Sequence, residues 1–344
     1  MGRSVVHPVD VQGAAGATAA TGRPVPETVI GTRGSRLALA QTQAVMEAMR
    51  RAHPGLAVRL QVVSTEGDRV RSGPLPTWGQ GVFVRDIERA LLEGEIDLAV
   101  HSLKDVTADI PSGLAILAVP ERADPGDVLV TAEGLTLDEL PAGARVGTSS
   151  LRRGAFLKAY RPDLEVVPLR GNVDTRFRKL LDREQGLTAI VLAAAGLERL
   201  GLSDAPRVAL GRDVLLPAPG QGALAIEGRA GDEYHRRLAG AVDDAPSHAA
   251  VVAERQVLRE LEAGCRLPVA ALAAAQPGGR LWLDAAVAAP DGSRVLRASG
   301  GGSVDEAASL GKAVAQDLLA RGAADLLVDG RGREVGDVSV VAGA

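Results

Sequence analysis

Cysteine is almost absent from this chain: Cys265 is the only one in 344 residues. An intramolecular disulfide is therefore excluded, and so is a zinc site built from several cysteine ligands. Cys265 lies in the stretch LEAGCRLPVA, just after a helix-like run. Two interpretations remain open at this point. Cys265 is either a small buried apolar side chain or a thiolate that forms a covalent bond.

Aromatic residues and lysines are also scarce. Aromatics make up 2% of the chain, and only four of the 39 basic residues are lysines. So few aromatic rings argue against a platform on which nucleic-acid bases stack. A net charge of -4 and a pI near 5.8 argue against a broad nucleic-acid surface. We therefore expect no nucleic-acid partner.

Long apolar runs are missing as well. No uninterrupted stretch reaches the roughly 18 apolar residues that a membrane-spanning helix needs. Residues 1–27 lack the apolar core of a signal peptide, and their Gly, Ala, Thr and Pro predict a flexible extension. A lone thiol fits a reducing compartment. We expect a cytoplasmic protein with no membrane partner.

From Val29 onward, strand-like and helix-like segments alternate, which predicts mainly parallel sheets covered by helices. Pro/Gly-containing segments at 121–131 and 215–224 predict two crossings between domains, and ALAIEGR predicts a strand that returns to the first sheet. From about Ser247 the pattern changes to an α+β module. The predicted domains are 28–122 with 223–242, then 126–217, then 246–344.

Two α/β domains joined by two crossings form a cleft, and ligands tend to bind in such clefts. Within each domain, ligands collect beyond the carboxyl ends of the parallel strands. Polar and charged residues follow four predicted strands there: Arg33 and Ser35; His101, Ser102, Lys104 and Asp105; Thr148, Ser149, Ser150, Arg152 and Arg153; Arg170 and Arg176.

Each of these positions has a simpler interpretation. Paired arginines at a helix start are commonly solvated surface charges, His101 fits a core histidine, and Asp105 fits a helix cap. Arg152 and Arg153, however, oppose the dipole of the helix that they begin, which favours a negatively charged partner. The coincidence at four strand ends favours a ligand with several carboxylates or phosphates, because guanidinium groups bind both in a bidentate manner.

Several segments, in this order, resemble the porphobilinogen deaminase (hydroxymethylbilane synthase) family: TRGSRLALAQT, STEGDR, GVFVRDIERALLEGEIDLAVHSLKDV, VGTSSLRRGAFLKAYRPDLEVVPLRGNVDTR, AAAGLERLGL, LPAPGQGALAIEGR and EAGCRLPVAAL. The resemblance runs from about Val29 to the C-terminal helix. It implies a fold of two periplasmic-binding-protein-like α/β domains with a cleft between them, plus a small α+β C-terminal domain. It implies a monomeric enzyme that joins four porphobilinogen units head to tail into hydroxymethylbilane, with release of ammonia.

The resemblance also implies a role for each matching residue. Cys265 would hold a covalent dipyrromethane cofactor through a thioether, since a soft thiolate traps the electrophilic azafulvene of deaminated porphobilinogen. Asp105 would be the catalytic aspartate. The implied cofactor contacts are Ser102, Lys104, Thr148, Ser150, Arg152 and Arg153. The implied substrate contacts are Arg33, Ser35, Phe83, Arg170, Arg176, Arg199 and Gln221. No metal is implied.

Some positions depart from the family pattern. Thr77 and Gln80 stand where many bacterial members have lysines, which puts a charge contact from that loop in doubt. Ala263 replaces a glycine, which matters only if the backbone there needs a positive φ.

Two other classes of protein fit the same arginines. A two-lobed solute-binding module would bind a polycarboxylate without needing Cys265 or Asp105, and its mass would equal that of the sequence. A nucleic-acid or regulatory effector is disfavoured by the acidic pI.

Overall fold

The computed structural model describes residues 27–65, 84–202, 204–262 and 268–327. Its strands are β1 (Thr28–Thr32), β2 (Val58–Val62), β3 (Leu98–Ser102), β4 (Leu114–Ala118), β5 (Asp127–Thr131), β6 (Arg145–Gly147), β7 (Glu165–Val167), β8 (Ala189–Ala193), β9 (Arg207–Ala209), β10 (Leu224–Arg229), β11 (Val269–Gln276), β12 (Arg280–Ala288) and β13 (Val295–Ser303). The α-helices are α1 (Arg36–Ala52), α2 (Arg85–Leu92), α3 (Leu151–Tyr160), α4 (Val173–Leu181), α5 (Ala194–Arg199), α6 (Glu233–Gly240), α7 (Ala245–Glu260), α8 (Ala307–Ala320) and α9 (Ala323–Leu327). Short 3-10 turns occupy Leu103–Asp105, Glu184–Gly186 and Val304–Glu306.

The described chain divides into two compact units. The first comprises 27–65, 84–122 and 223–248, and the second comprises 123–202, 204–222, 249–262 and 268–327. The three-domain boundaries expected from the sequence stay a prediction. No helix among the described residues is both long and apolar enough to cross a membrane.

The first unit is built on a five-stranded sheet in the order β2-β1-β3-β10-β4. Strand β1 is parallel to β2 and β3, whereas β10 is antiparallel to β3 and β4. The predicted return of ALAIEGR to the first sheet is therefore confirmed. Ile30, Met49, Leu98 and Ile226 are fully buried in the core between this sheet and its helices.

The second unit contains a similar sheet in the order β7-β6-β8-β5-β9, with β6 parallel to β7 and β8, and β5 antiparallel to β8 and β9. A separate antiparallel sheet follows in the order β11-β12-β13. One core joins the two sheets, since Phe156 of α3 belongs to the same apolar cluster as Leu129 and Ala286.

This architecture confirms the predicted fold class, α/β with an α+β C-terminal part. The sheets are mainly parallel, as predicted: four of the five strands of each sheet point the same way, and the fifth, β10 or β5, runs against its neighbours. One detail of the prediction was wrong. The segment 121–131 is not a crossing throughout, because 127–131 form β5 and all five of its residues are buried.

Candidate functional site

The first group of predicted site residues lies at one edge of the first sheet. Strands β1 and β3 are parallel, so their carboxyl ends meet at the same edge. Arg33 follows β1, and the 3-10 turn with Lys104 and Asp105 follows β3. The turn is anchored by Leu103, which is buried and whose N–H donates to the carbonyl of Ala223 at 3.1 Å. The side chain of Asp105 is exposed, so the anchored turn presents a carboxylate to solvent or ligand.

Two serines at this edge have structural partners. The Oγ of Ser35 accepts from the N–H of Ala38 at 3.2 Å and so caps α1, as its position before the helix predicts. The Oγ of Ser102 donates to the Oε1 of Gln41 at 3.0 Å and ties the end of β3 to α1. These bonds fix the two loops from which Arg33 and Lys104 extend.

Beneath this edge lies a buried cluster of ionisable groups. The Nε2 of His101 lies 3.0 Å from the Oε2 of Glu227, and both side chains are buried. His101 is therefore a paired core histidine, the simpler of its two interpretations. Glu88 of α2 is buried beside them, and its Oε1 contacts no hydrogen-bond partner among the described residues. Burial, and after it the negative charge of Glu227, raises the pKa of Glu88 to about 7.

This raised pKa predicts a pH-dependent stability that Glu88→Gln removes. In the unfolded chain Glu88 ionises near its ordinary pKa of 4.5, so the folded state loses stability as the pH rises from about 4.5 to about 7 and stays lower above that. Glutamine carries no charge at any pH. We expect the free energy of unfolding of the variant, relative to the natural chain, to rise by about 2 kcal/mol between pH 5 and pH 8, measured by urea unfolding.

Glu93→Gln is the matched control, because Glu93 is exposed at the end of the same helix. Its stability difference from the natural chain should not change between the two pH values. If the free energy of unfolding changed with pH by the same amount in the Glu88 variant and in the natural chain, Glu88 would have no raised pKa.

The second group of predicted site residues lies at the matching edge of the second sheet. Strands β6, β7 and β8 are parallel and end there. After β6, the Oγ1 of Thr148 accepts from the N–H of Ser150 at 3.1 Å, and the Oγ of Ser150 accepts from the N–H of Arg153 at 3.4 Å. Ser150 therefore caps α3. The loop is shaped by its own side chains, and it sets where the first turn of α3 begins.

Arg152 and Arg153 in that first turn are buried, with 4% and 5% of their surface exposed. Their interpretation as solvated surface charges is therefore wrong. Both pair with the carboxylate of Asp127, the first residue of β5. The Nη2 of Arg152 lies 2.8 Å from Oδ2, and the Nη2 and Nε of Arg153 lie 2.7 and 2.9 Å from Oδ1. Each arginine also donates to a backbone carbonyl, Arg152 to Leu216 at 2.6 Å and Arg153 to Val191 at 2.9 Å.

The charges of this cluster do not balance. Among the described residues, the carboxylate of Asp127 pairs with two guanidinium groups, which leaves one buried positive charge in excess. Burial, and also the charge of Arg153, lowers the pKa of Arg152, while Asp127 acts in the opposite direction. The Nε of Arg152 has no hydrogen-bond partner among the described residues. A buried cation with an unused donor fits an anionic group supplied by a ligand.

Three further arginines of the second unit are Arg170 in the loop after β7, Arg176 on α4 and Arg199 on α5. The Nε of Arg176 donates to the carbonyl of Gly171 at 2.7 Å, and Arg170, directly before Gly171, is exposed. Gly171 has φ of +113°, and a Cβ there would lie 2.8 Å from the Cγ2 of Thr175, so the turn requires glycine. The Nη2 of Arg199 donates to the carbonyl of Gly222 at 2.6 Å, and burial lowers the pKa of Arg199.

Sequence comparisons identify the family. A family profile described as "Porphobilinogen deaminase, dipyromethane cofactor binding domain" matches residues 28–237, and one described as "Porphobilinogen deaminase, C-terminal domain" matches residues 248–320. The chain belongs to the porphobilinogen deaminase family. Proteins named porphobilinogen deaminase from Roseiflexus castenholzii and Desulforudis audaxviator are 49% and 48% identical to it, over 87% and 88% of this chain and 97% of each relative. One from Brevibacillus brevis is 46% identical over 87% of this chain and 96% of its own. The resemblance inferred from the motifs is confirmed.

Several predicted positions of this porphobilinogen deaminase family member lie outside the described residues. They are Cys265 and Phe83, together with Thr77, Gln80 and Ala263. Their roles stay predictions from the sequence.

Gln221 is described, but it is 1% exposed. Its Nε2 donates to the carbonyl of Pro125 at 2.7 Å, so its side chain holds the backbone just before β5. A contact of Gln221 with substrate stays a prediction.

Asp127 is a functional candidate that is not among the residues predicted from the sequence. In DPGDVLVT it looked like one acid among several in a crossing segment. A usable pattern was present, because Asp127 directly precedes an apolar run of the kind that forms a buried strand. A carboxylate at such a position requires a cationic partner.

Proposed function

We propose that this chain is a hydroxymethylbilane synthase. It would condense four porphobilinogen units head to tail into hydroxymethylbilane, release one ammonia for each unit joined, and use a covalently bound dipyrromethane as primer. The observation that carries this proposal, beside family membership, is the excess positive charge of Arg152 and Arg153. Each porphobilinogen ring carries an acetate and a propionate, so the covalently held cofactor and growing chain are polycarboxylates of the kind that such a cluster binds.

Asp105 is the proposed catalytic residue. Its carboxylate is exposed on an anchored turn, where it can accept hydrogen bonds from pyrrole N–H groups. As ammonia leaves, positive charge develops on the pyrrole ring, and a fixed carboxylate stabilises that charge. The same group can hold a proton during ammonia loss and during loss of the proton from the ring carbon that forms the new bond.

Six side chains are proposed to contact the cofactor: Ser102, Lys104, Thr148, Ser150, Arg152 and Arg153. When bound, dipyrromethane supplies the pyrrole carbon to which the first substrate ring is joined. The unused Nε–H of Arg152 fits one of its carboxylates. Cys265 is proposed to hold it through a thioether, which keeps it attached when the product leaves. Substrate carboxylates are proposed to bind Arg33, Ser35, Arg170, Arg176 and Arg199, with Phe83 and Gln221 also contacting the substrate.

We further propose that the enzyme acts as a cytoplasmic monomer without nucleic-acid or membrane partners. The acidic pI supports the part of this proposal that concerns nucleic acid, and the single cysteine supports the part that concerns the compartment.

Intact mass of the purified protein, a colour test for pyrroles, and product analysis with porphobilinogen test the proposed function together. We expect a mass above that of the sequence by two linked pyrrole units, a positive pyrrole test, and formation of hydroxymethylbilane with ammonia. A solute-binding module would show the bare sequence mass and no product, and that result would contradict the proposal.

Arg152→Leu should stall chain elongation. Removing the guanidinium deletes a charged partner for a carboxylate, an interaction of about 1.5–3 kcal/mol, so we expect turnover to fall roughly tenfold or more. Native mass spectrometry after a limiting dose of porphobilinogen should show a shifted distribution of enzyme-bound chain lengths. An unchanged distribution would remove Arg152 from the set of binding residues.

Arg161→Leu is the control for this variant. Arg161 follows the other end of α3 and donates to the carbonyls of Leu137 and Leu140 at 2.8 and 3.1 Å. Its loss also removes a partly buried cation from the same helix, but the distribution of chain lengths should stay that of the natural enzyme.

A further inference from the structure

Asp127 is fixed at the edge of the second sheet by strand pairing and not by a loop. It is the first residue of β5, lies opposite Ala193 of β8, and its carbonyl accepts from the N–H of Leu210 at 2.9 Å. Because β5 is antiparallel to β8, the start of β5 reaches the edge where β6, β7 and β8 end. The carboxylate of Asp127 therefore lies on an interior strand, at the end of the sheet beyond which ligands bind in α/β folds.

Both oxygens of this carboxylate are used to orient guanidinium groups. Oδ2 forms an ion pair with the Nη2 of Arg152, and Oδ1 accepts a hydrogen bond from the Nε of Arg153 and forms an ion pair with its Nη2. The carbonyl of Leu216 accepts from a second nitrogen of Arg152, and the carbonyl of Val191 accepts from the third nitrogen of Arg153. Each planar group is therefore held at two or more points, which leaves little freedom of rotation.

We propose that Asp127 is a positioning residue for the condensation, which fixes the guanidinium groups of Arg152 and Arg153 in the orientation that binds the carboxylates of the covalently held chain. This inference rests on the proposed function. Asp127 acts through the two arginines and does not itself touch substrate or cofactor.

The number of charges supports this role. With no carboxylate, two buried guanidinium groups on adjacent residues would repel each other and turn apart. With a second carboxylate, the cluster would be neutral and its attraction for an anionic ligand would be lost. One carboxylate for two arginines orients both cations and still leaves one positive charge for the ligand.

Asp127→Asn tests the proposal, with Val130→Ala as the control. Val130 lies on the same strand and is fully buried in an apolar cluster without arginines, so its truncation lowers stability without altering the guanidinium groups. We expect Asp127→Asn to lower kcat at least tenfold and to change KM for porphobilinogen less than threefold, because the held chain is already in place when each substrate arrives. Its distribution of enzyme-bound chain lengths should also shift. Val130→Ala should lower the melting temperature and leave kcat, KM and the distribution unchanged.

The double variant Arg153→Met with Asp127→Asn keeps the test decisive if Asp127→Asn fails to fold. It removes one buried charge of each sign, so the net charge of the cluster stays that of the natural enzyme. Compared with Arg153→Met alone, the double variant should lose a further tenfold in kcat, because Arg152 loses its anchor. A kcat within twofold of Arg153→Met alone would overturn the proposal.

These outcomes are distinct from failure of the proposed function. If the natural enzyme carries no adduct and forms no hydroxymethylbilane, the proposed function fails. If the natural enzyme is active and Asp127→Asn keeps its kcat and its distribution of chain lengths, only the role of Asp127 fails.

Discussion

Asp105→Asn should lower kcat by at least about 100-fold while the melting temperature stays within about 2 °C of the natural enzyme. Asparagine has nearly the same size and keeps one acceptor oxygen, so the substitution removes charge and little else. Asp105 is exposed, whereas the turn that carries it is anchored by buried Leu103. The fold therefore does not depend on the Asp105 side chain.

The expected size of the loss in kcat follows from the positive charge that develops on the pyrrole ring as ammonia leaves. A carboxylate about 4 Å from a positive ring stabilises it by about 4 kcal/mol at an effective dielectric constant of about 20. Losing about 2.7 kcal/mol or more of this interaction in the transition state corresponds to about 100-fold or more in rate. An amide oxygen carries only a partial charge and replaces a small part of that energy.

Asp109→Asn is the matched control, since Asp109 is exposed four residues further along the same loop. The chemical change is identical, and turnover should stay within twofold of the natural enzyme. The test is kcat of both variants and of the natural enzyme, measured with saturating porphobilinogen. If Asp105→Asn kept more than a third of the natural kcat, Asp105 would not be the catalytic carboxylate.

The location of the site could be predicted because it follows from strand direction. The residues after β1, β3, β6 and β7 are predicted site residues only because they follow apolar strands. The parallel pairing of β1 with β3 and of β6 with β7 places them at common edges. The rule that ligands bind beyond the carboxyl ends of parallel strands requires only the positions of the strands. The periodicity of apolar residues in the sequence gives those positions without a structure.

The partners of these residues could not be predicted in the same way. Asp127 lies 25 residues before Arg152 and 26 before Arg153, and nothing local indicates that a strand starting at Asp127 runs antiparallel to β8. The burial of both arginines depends on that long-range pairing. The same holds for Glu88, whose raised pKa depends on Glu227, a residue contributed by a strand from the far part of the chain. Charged residues in a helix pattern are expected at the surface, and only tertiary structure shows which of them are buried.

Cys265→Ser should abolish the covalent adduct completely, so that the purified variant has the mass of its sequence and gives no pyrrole colour. A thiol with a pKa near 8.5 is already ionised by a few per cent at neutral pH, and its sulfur is a strong nucleophile toward a soft electrophile. A serine hydroxyl is not ionised there and does not replace it. Turnover should be lost with the adduct, because the primer is lost.

This variant separates the two interpretations of the lone cysteine that the sequence leaves open. If Cys265 were only a small buried apolar residue, serine would lower stability but leave the mass and the activity of the natural enzyme. Because the chain contains no second cysteine, no other thiol can replace it and obscure the result. Cys265→Ala is the control for the hydroxyl group, since it should also lack the adduct and introduces no hydroxyl. An adduct of natural mass on either variant would place the attachment on another residue, and the thioether would have to be abandoned.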